Sequence, residues 1–113
     1  MRPDDILLLD VLLAAREAVG FSQAISLEEF ERDRMRQLAV VKSIEVIGEA
    51  ASRMSQAFRD AHPELPWSDM VAMRHRLVHG YFEISVNRVW QTAQDDLPAL
   101  IVAVEKLIPQ QGE

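Results

Sequence analysis

The chain has 113 residues, a length that suits one domain built around a single hydrophobic core and predicts that residues 1–113 form one unit. Hydrophobic residues make up 49% of it and aromatic residues 6%, with many Ala, Leu, Val and Glu, which favours helix over sheet. A formal net charge of -6 argues against general duplex binding, because non-specific affinity comes from Lys and Arg that neutralise phosphates.

The absence of cysteine excludes a disulfide framework and a cysteine-based metal site. No segment is typical of a cleavable signal. The apolar run over residues 6–15 contains Asp10 and is too short to span a bilayer. The sequence therefore predicts a soluble cytoplasmic protein with no membrane contact.

The first helix is predicted to begin near Asp4, a good N-cap after Pro3, and to end near Gly20. Its apolar residues cover more than one face: Ile6, Leu7, Leu8, Leu9, Val11, Leu12 and Leu13. Some of that surface is therefore expected to meet another chain. A helix that is buried on all sides is the alternative.

The second helix is predicted to begin at Ser26. Ser26 and Glu29 have the spacing of a capping box, and Ile25 and Phe30 have the spacing of a hydrophobic staple. An apolar stripe then steps by three or four residues, which predicts one unbroken helix to about Ser55, roughly 45 Å long.

Gly48, Glu45 and Glu49 inside this helix predict contacts with other parts of the chain. Gly48 costs about 1 kcal/mol of helix propensity relative to Ala, which predicts close approach by a neighbouring helix. Glu45 and Glu49 share a face, and Glu49 is spaced to pair with Arg53. One of these carboxylates can instead orient an arginine of the segment that follows.

Residues 56–66 are predicted to form a loop or a short broken helix, because Pro63 and Pro66 disfavour helical geometry in the residues before them. A third helix is predicted from Pro66 or Trp67 to Gly80. Its buried stripe consists of Met70, Met73 and Leu77.

The last helix is predicted to begin near Val86 and to keep a 3.6-residue apolar period, with a kink at Pro98 and no real break. The four predicted helices indicate an all-α protein, an antiparallel up-and-down four-helix bundle with a long second helix.

One polar stretch remains unexplained by apolar periodicity: Met73-Arg74-His75-Arg76-Leu77-Val78-His79-Gly80-Tyr81. On a regular helix Arg74 and His79 lie roughly 140° apart. They can therefore meet at one ligand only if His79 sits at a frayed helix end or if a second subunit completes the site. His75 and His79 would share a face.

Three interpretations follow for this stretch. In the first, Arg74 and Arg76 pair with carboxylates of the long helix and have only a structural role. In the second, His75 and His79 bind a metal, although the sequence nearby offers only Glu83 as a third ligand. In the third, an arginine binds a phosphodiester while a histidine moves a proton of a ribose 2′-hydroxyl or of the leaving oxygen, which needs no metal or other cofactor.

The spacing Arg74, four residues, His79, one residue, Tyr81 resembles the Arg-x4-His-x-Tyr signature of the HEPN domain. The whole sequence is similar to HepT-type toxins of the bacterial HEPN/MNT toxin–antitoxin systems. The similarity extends over nearly the entire chain: residues 40–51 resemble the second-helix segment, Leu65-Pro66-Trp67 the start of the third helix, and Val89-Trp90 with Asp95-Asp96-Leu97-Pro98 the last helix.

The resemblance implies a HEPN-like homodimer and a metal-independent endoribonuclease of a type VII-like toxin–antitoxin system. Arg74 would hold the phosphate and His79 would be the acid and base. His75 stands where family members often have Asn and, with Arg76, would support RNA binding. Tyr81 would receive AMP from an MNT nucleotidyltransferase antitoxin, which silences cleavage of mRNA or tRNA.

A second function class stays open. A HEPN module of this kind can bind a nucleotide or a partner without cutting RNA, and then acts within a nucleotidyltransferase complex. The presence of both Arg74 and His79 favours the enzyme.

Overall fold

The computed structural model describes residues 3–79 and 83–108, with Val78 and His79 described by their backbone alone. Its elements in chain order are the helices α1 (Pro3–Gln23), α2 (Leu27–Glu31), α3 (Arg34–Arg53), α4 (Gln56–Ala61) and α5 (Trp67–Ala72), a 3-10 turn (Met73–Arg76), the strands β1 (Val78–His79) and β2 (Glu83–Ile84), helix α6 (Val86–Gln91), a π-helical segment (Thr92–Asp96) and helix α7 (Leu97–Glu105). The predicted all-helical class is confirmed apart from the short antiparallel pair of β1 and β2.

Helix α1 packs along α3 and also contacts α7, so these three helices enclose most of the core. The helix continues past Gly20, which therefore does not end it as predicted. Ser22 is buried near the end of α1, where its hydroxyl donates to the carbonyl of Ala18 at 3.2 Å and accepts from the amide of Gln94 at 3.2 Å. The bond from Gln94 ties the last turn of α1 to the π-helical segment.

The capping box at the start of α2 is confirmed. The Ser26 hydroxyl accepts from the Glu29 N–H at 3.1 Å, and the Glu29 carboxylate accepts from the Ser26 N–H at 3.0 Å. These hydrogen bonds from Ser26 stabilise the charged form and lower the pKa of Glu29 below its usual value. Phe30 is fully buried and its ring lies 5.2 Å from that of Trp90, which docks α2 on α6.

The prediction of one unbroken helix from Ser26 to Ser55 is wrong, because α2 ends at Glu31 and α3 begins at Arg34. Asp33 caps α3 by accepting from the N–H of Arg36 at 3.0 Å. Buried Gln37 donates its amide to the carbonyls of Phe30 at 2.9 Å and Glu31 at 3.1 Å. The break is therefore stabilised by side chains that satisfy backbone groups at both helix ends.

The close approach predicted at Gly48 is confirmed. A Cβ atom placed on Gly48 would lie 3.1 Å from the Met70 carbonyl oxygen and 3.4 Å from that of Val71. Helix α5 thus lies with its backbone directly against α3, and the residues that follow α5 are positioned by this contact.

The third helix is shorter than predicted. It begins at Trp67 as expected, but α5 ends at Ala72 and the chain continues as a 3-10 turn and then as β1. The Ser85 N–H donates to the Leu77 carbonyl at 2.7 Å, and β1 pairs with β2 so that His79 lies opposite Glu83. Gly80, the predicted end of the helix, lies outside the described residues.

The last helical run begins at Val86, as predicted, and reaches Glu105 without a gap. The irregularity expected at Pro98 takes the form of the π-helical segment just before it, in which the Leu97 N–H reaches back to the Thr92 carbonyl. Proline has no N–H to donate, so a change of hydrogen-bond register at this point is physically reasonable.

Across the described ranges, no helix combines the length and apolarity that crossing a membrane would require.

Candidate functional site

The polar stretch is anchored by apolar side chains on α5 and the turn after it. Met70, Met73 and Leu77 are all buried, so they fix this segment to the core. Because these anchors point inward, the residues between them are presented at the surface, where Arg74 is half-buried and His75 and Arg76 are exposed.

Arg74 is held from α3. Its Nε donates to Oε1 of Glu45 at 2.9 Å, and the two side chains are 42% and 35% exposed. Arg74 is thus paired with a carboxylate of α3, as the first interpretation of the polar stretch predicted, and Glu45 is the carboxylate that orients it. This bond uses Nε, so the contact with Glu45 does not occupy the N–H donors of the terminal Nη nitrogens, which are the donors that bind anions such as a phosphate.

Arg76 belongs to a different surface from Arg74. Its Nη1 lies 3.9 Å from Oδ1 of Asp69, and it lines an open groove of about 430 Å³ whose far wall includes Asp95 and Asp96. Residues two apart on a 3-10 helix differ by about 240° in direction. The structure therefore directs Arg74 towards α3 and Arg76 towards the π-helical segment and α7.

Arg88 lines a neighbouring groove together with Arg76, Asp95 and Asp96. It lies twelve positions after Arg76, in a different helix, and no local sequence pattern singles it out. Reasoning from the sequence alone therefore missed it as a neighbour of the polar stretch.

His75 is exposed on the 3-10 turn, and His79 lies on β1, beyond the end of the helix. The angle of 140° between Arg74 and His79 assumed a regular helix through both residues, and no such helix exists. For the same reason, the prediction that His75 and His79 share a helical face is wrong. Among the described residues, no group of three His, Cys, Asp or Glu side chains is arranged to hold a metal ion.

Tyr81, the residue predicted to carry AMP, lies outside the described residues. The structure describes the backbone on both sides of it. There β1 and β2 pair as antiparallel strands, with Val78 opposite Ile84.

One family model and several known proteins are similar to this chain over most of its length. The family model described as "Ribonuclease HepT-like" matches residues 11–107. A protein of Thermococcus cleftensis named "Probable ribonuclease HepT" is 38% identical over 98 residues, which cover 87% of this chain and 89% of that protein.

A relative from Methanocaldococcus jannaschii, named "Putative RNase MJ1380", is 35% identical over 98 residues, or 87% of this chain and 90% of the relative. A relative from Caldanaerobacter subterraneus subsp. tengcongensis, named "Putative RNase TTE0752", is 33% identical over 89 residues, or 79% of this chain and 80% of the relative. No solved structure gave a significant match.

Proposed function

Because the chain belongs to the HepT-like ribonuclease family, we propose that it is a metal-independent endoribonuclease in which Arg74 and His79 act on the phosphodiester. The observation that carries the proposal is the state of Arg74: it is half-exposed, and Glu45 binds it through Nε and not through the terminal nitrogens that would hold a phosphate. An arginine held in this way is suited to bind an anion.

The position of His79 fits the same proposal. The helix ends at Ala72, and the 3-10 turn and β1 carry the chain from Arg74 to His79. Leaving the helix in this way removes the fixed angular separation that a regular helix would impose between the two residues. His75 and Arg76 are proposed to support RNA binding from either side of the turn.

The proposed reaction is an internal transesterification of RNA. The His79 imidazole takes the proton of a ribose 2′-hydroxyl, the 2′-oxygen forms a bond to phosphorus, and the bond from phosphorus to the 5′-oxygen breaks. The imidazolium formed on His79 returns this proton to the leaving 5′-oxygen, and the Arg74 guanidinium stabilises negative charge on the non-bridging oxygens. The products are a 2′,3′-cyclic phosphate end and a 5′-hydroxyl end.

The test is cleavage of RNA by the purified protein in EDTA. We expect wild-type protein to cut, and Arg74→Ala or His79→Ala to lower the rate by about 10²-fold or more, as loss of a group that stabilises the transition state does. Arg53→Ala, which removes an exposed arginine of α3, is the control and should cut normally. Loss of cleavage when EDTA is added would contradict the metal-free mechanism.

A substrate that lacks the attacking hydroxyl gives a second test of the chemistry. A substrate with 2′-deoxyribose at the scissile position lacks the attacking oxygen and should resist cleavage. If such a substrate is cut at the wild-type rate, the nucleophile is not the 2′-hydroxyl. A folded protein that binds RNA tightly but never cuts it would instead support the non-catalytic HEPN module.

The family also supports the proposed regulation and assembly. We propose that each chain has the up-and-down four-helix arrangement of HEPN domains, formed by α1, α3, α5 and the run from α6 to α7. Two such chains form a homodimer that acts as a cytoplasmic toxin on mRNA or tRNA.

An MNT nucleotidyltransferase antitoxin is proposed to place AMP on Tyr81, two residues after His79, where a bulky anion would block the phosphate site. Mass spectrometry after incubation with ATP and such an enzyme should show one added adenylate, absent in Tyr81→Phe.

A further inference from the structure

We propose that Glu45 is a positioning residue for the ribonuclease reaction, which fixes the direction in which the Arg74 guanidinium faces the RNA phosphate. The inference rests on the proposed function of Arg74 and adds a residue that lies 29 positions earlier in the chain.

The contact has the features of a specific pair. The distance from Nε to Oε1 is 2.9 Å, and both side chains are more than half covered by the protein. Glu49, one turn further along α3, provides the contrast: its carboxylate lies 3.8 Å from Arg53, and both of those side chains are 69% exposed. Two carboxylates on one helix thus form one well-ordered pair and one loose surface pair.

Helix α3 fixes Arg74 through two contacts on the same side. Gly48 allows the backbone of α5 to approach, with the Met70 carbonyl oxygen 3.1 Å from the position of a Cβ atom. Glu45 lies almost one turn before Gly48 and receives the arginine that follows α5. The backbone contact sets where the 3-10 turn begins, and the ion pair sets where its first arginine points.

The chemical consequence follows from the shape of the guanidinium. It is planar and presents its donors in fixed directions, so a bond at Nε orients the edge formed by the terminal nitrogens. A long arginine side chain without this bond samples many rotamers, and a phosphate-binding group misplaced by about 1 Å can lower the rate by about 10²-fold. Glu45 therefore acts on catalysis through Arg74 without touching the RNA.

The first experiment compares Glu45→Ala and Glu45→Gln with Glu49→Ala as the matched control. We expect Glu45→Ala to lower kcat by about 10²-fold with little change in KM, Glu45→Gln to keep part of the activity because its amide oxygen still accepts a hydrogen bond, and Glu49→Ala to cut normally. Adding Glu45→Ala to Arg74→Ala should cause no further loss, because the two residues act as a unit.

The second experiment does not depend on cleavage. The Nε–H signal of Arg74 in a nitrogen-15 NMR spectrum, assigned by its loss in Arg74→Lys, should be resolved and protected from exchange with water in wild-type protein. It should broaden in Glu45→Ala and remain unchanged in Glu49→Ala.

The two experiments separate the possible failures. A folded Glu45→Ala protein that cuts as fast as wild type, or faster, overturns the positioning role, and so does an Arg74 signal that ignores the substitution. Wild-type protein that cuts no RNA while its Arg74 signal depends on Glu45 would overturn the ribonuclease proposal and leave Glu45 as the residue that orients Arg74.

Discussion

At the residue scale, Gln37 explains why the second helix is broken. Its buried amide donates to the carbonyls of Phe30 and Glu31, at the end of α2. A straight helix through residues 31–34 would leave this amide buried without those acceptors. The side chain therefore favours the broken conformation over the continuous one.

Replacing Gln37 tests this role. Gln37→Leu keeps a similar volume but removes both hydrogen bonds to the end of α2, and this should lower the free energy of unfolding by about 1–3 kcal/mol. Urea denaturation followed by circular dichroism measures the change.

Gln56→Leu is the control for this substitution. Gln56 lies at the surface and donates to the Asp60 carboxylate four residues on, so its loss should change stability by about 0.5 kcal/mol or less. Equal stability of the two variants would mean that Gln37 does not hold the break.

The contrast between Ser26 and Gln37 shows what the sequence allows at this scale. The bonds between Ser26 and Glu29 join residues three apart, so a short pattern predicts them. The bonds of Gln37 exist only because the helix breaks, and the break itself depends on Asp33 and Arg36 adopting a new helix start. The apolar stripe runs through both arrangements and cannot distinguish them.

At the element scale, the contact between α3 and α5 was predictable but its consequence was not. A glycine in a helix interior indicates close packing, and Gly48 lies against the backbone of α5. The early end of α5 depends instead on a 3-10 turn and on the bond from Ser85 to Leu77, which joins residues eight apart across a hairpin. Helical periodicity does not report such a bond.

The two glycines of α1 and α3 allow a matched test of this packing. Gly20→Ala places a Cβ in open space and should stabilise the protein by about 0.4–1 kcal/mol, because alanine favours helix. Gly48→Ala places a Cβ 3.1 Å from a backbone oxygen and should destabilise it by about 1–3 kcal/mol through overpacking.

Thermal unfolding measures both variants, and RNA cleavage reports whether α5 has moved. We expect Gly48→Ala to lower the cleavage rate even where the protein is fully folded, because Arg74 follows α5 directly. A Gly48→Ala protein as stable as Gly20→Ala, with wild-type cleavage, would show that the close approach has no role in placing Arg74.

At the scale of the whole molecule, the sequence predicts Arg74 and His79 as site residues and a carboxylate of the second helix beside one arginine, but it does not predict which carboxylate this is or the groove beside Arg76. The spacing of Arg74 and His79 is local, whereas the bond of Arg74 to Glu45 and the groove that joins Arg76 to Asp95 depend on tertiary packing. The sequence also predicted that α1 has more apolar surface than one core can cover. The structure confirms this, since Ile6 is 50% exposed and Leu13 46% exposed.

These side chains lie on a face of α1 and α3 that combines exposed apolar residues with the charged residues Asp10, Glu17 and Lys42. Ile6 and Leu13 are seven residues apart on α1, so they point the same way, and Leu13 lines a shallow groove with Lys42 of α3. Leu38, one turn before Lys42, is also 46% exposed. A second copy of the chain that packs on this face would bury these side chains, which is consistent with the proposed homodimer.

Sedimentation of wild-type and substituted protein tests the assembly. We expect wild-type protein to have twice the 12.8 kDa mass of the chain, and the double variant Leu13→Glu with Leu38→Glu to sediment as a folded monomer. The added carboxylates would be buried without partners at the interface and would also repel across it, in a chain that already has a net charge of -6.

Val102→Glu is the matched control, because Val102 is a similarly exposed apolar residue, 53% exposed, on α7 and not on the face formed by α1 and α3. It should leave the dimer intact. Wild-type protein that sediments as a monomer at all concentrations would contradict the proposed assembly, and a monomeric double variant that still cuts RNA at the wild-type rate would show that one chain forms a complete site. If dimer and activity are lost together while Val102→Glu keeps both, the pairing of two chains is a condition of cleavage.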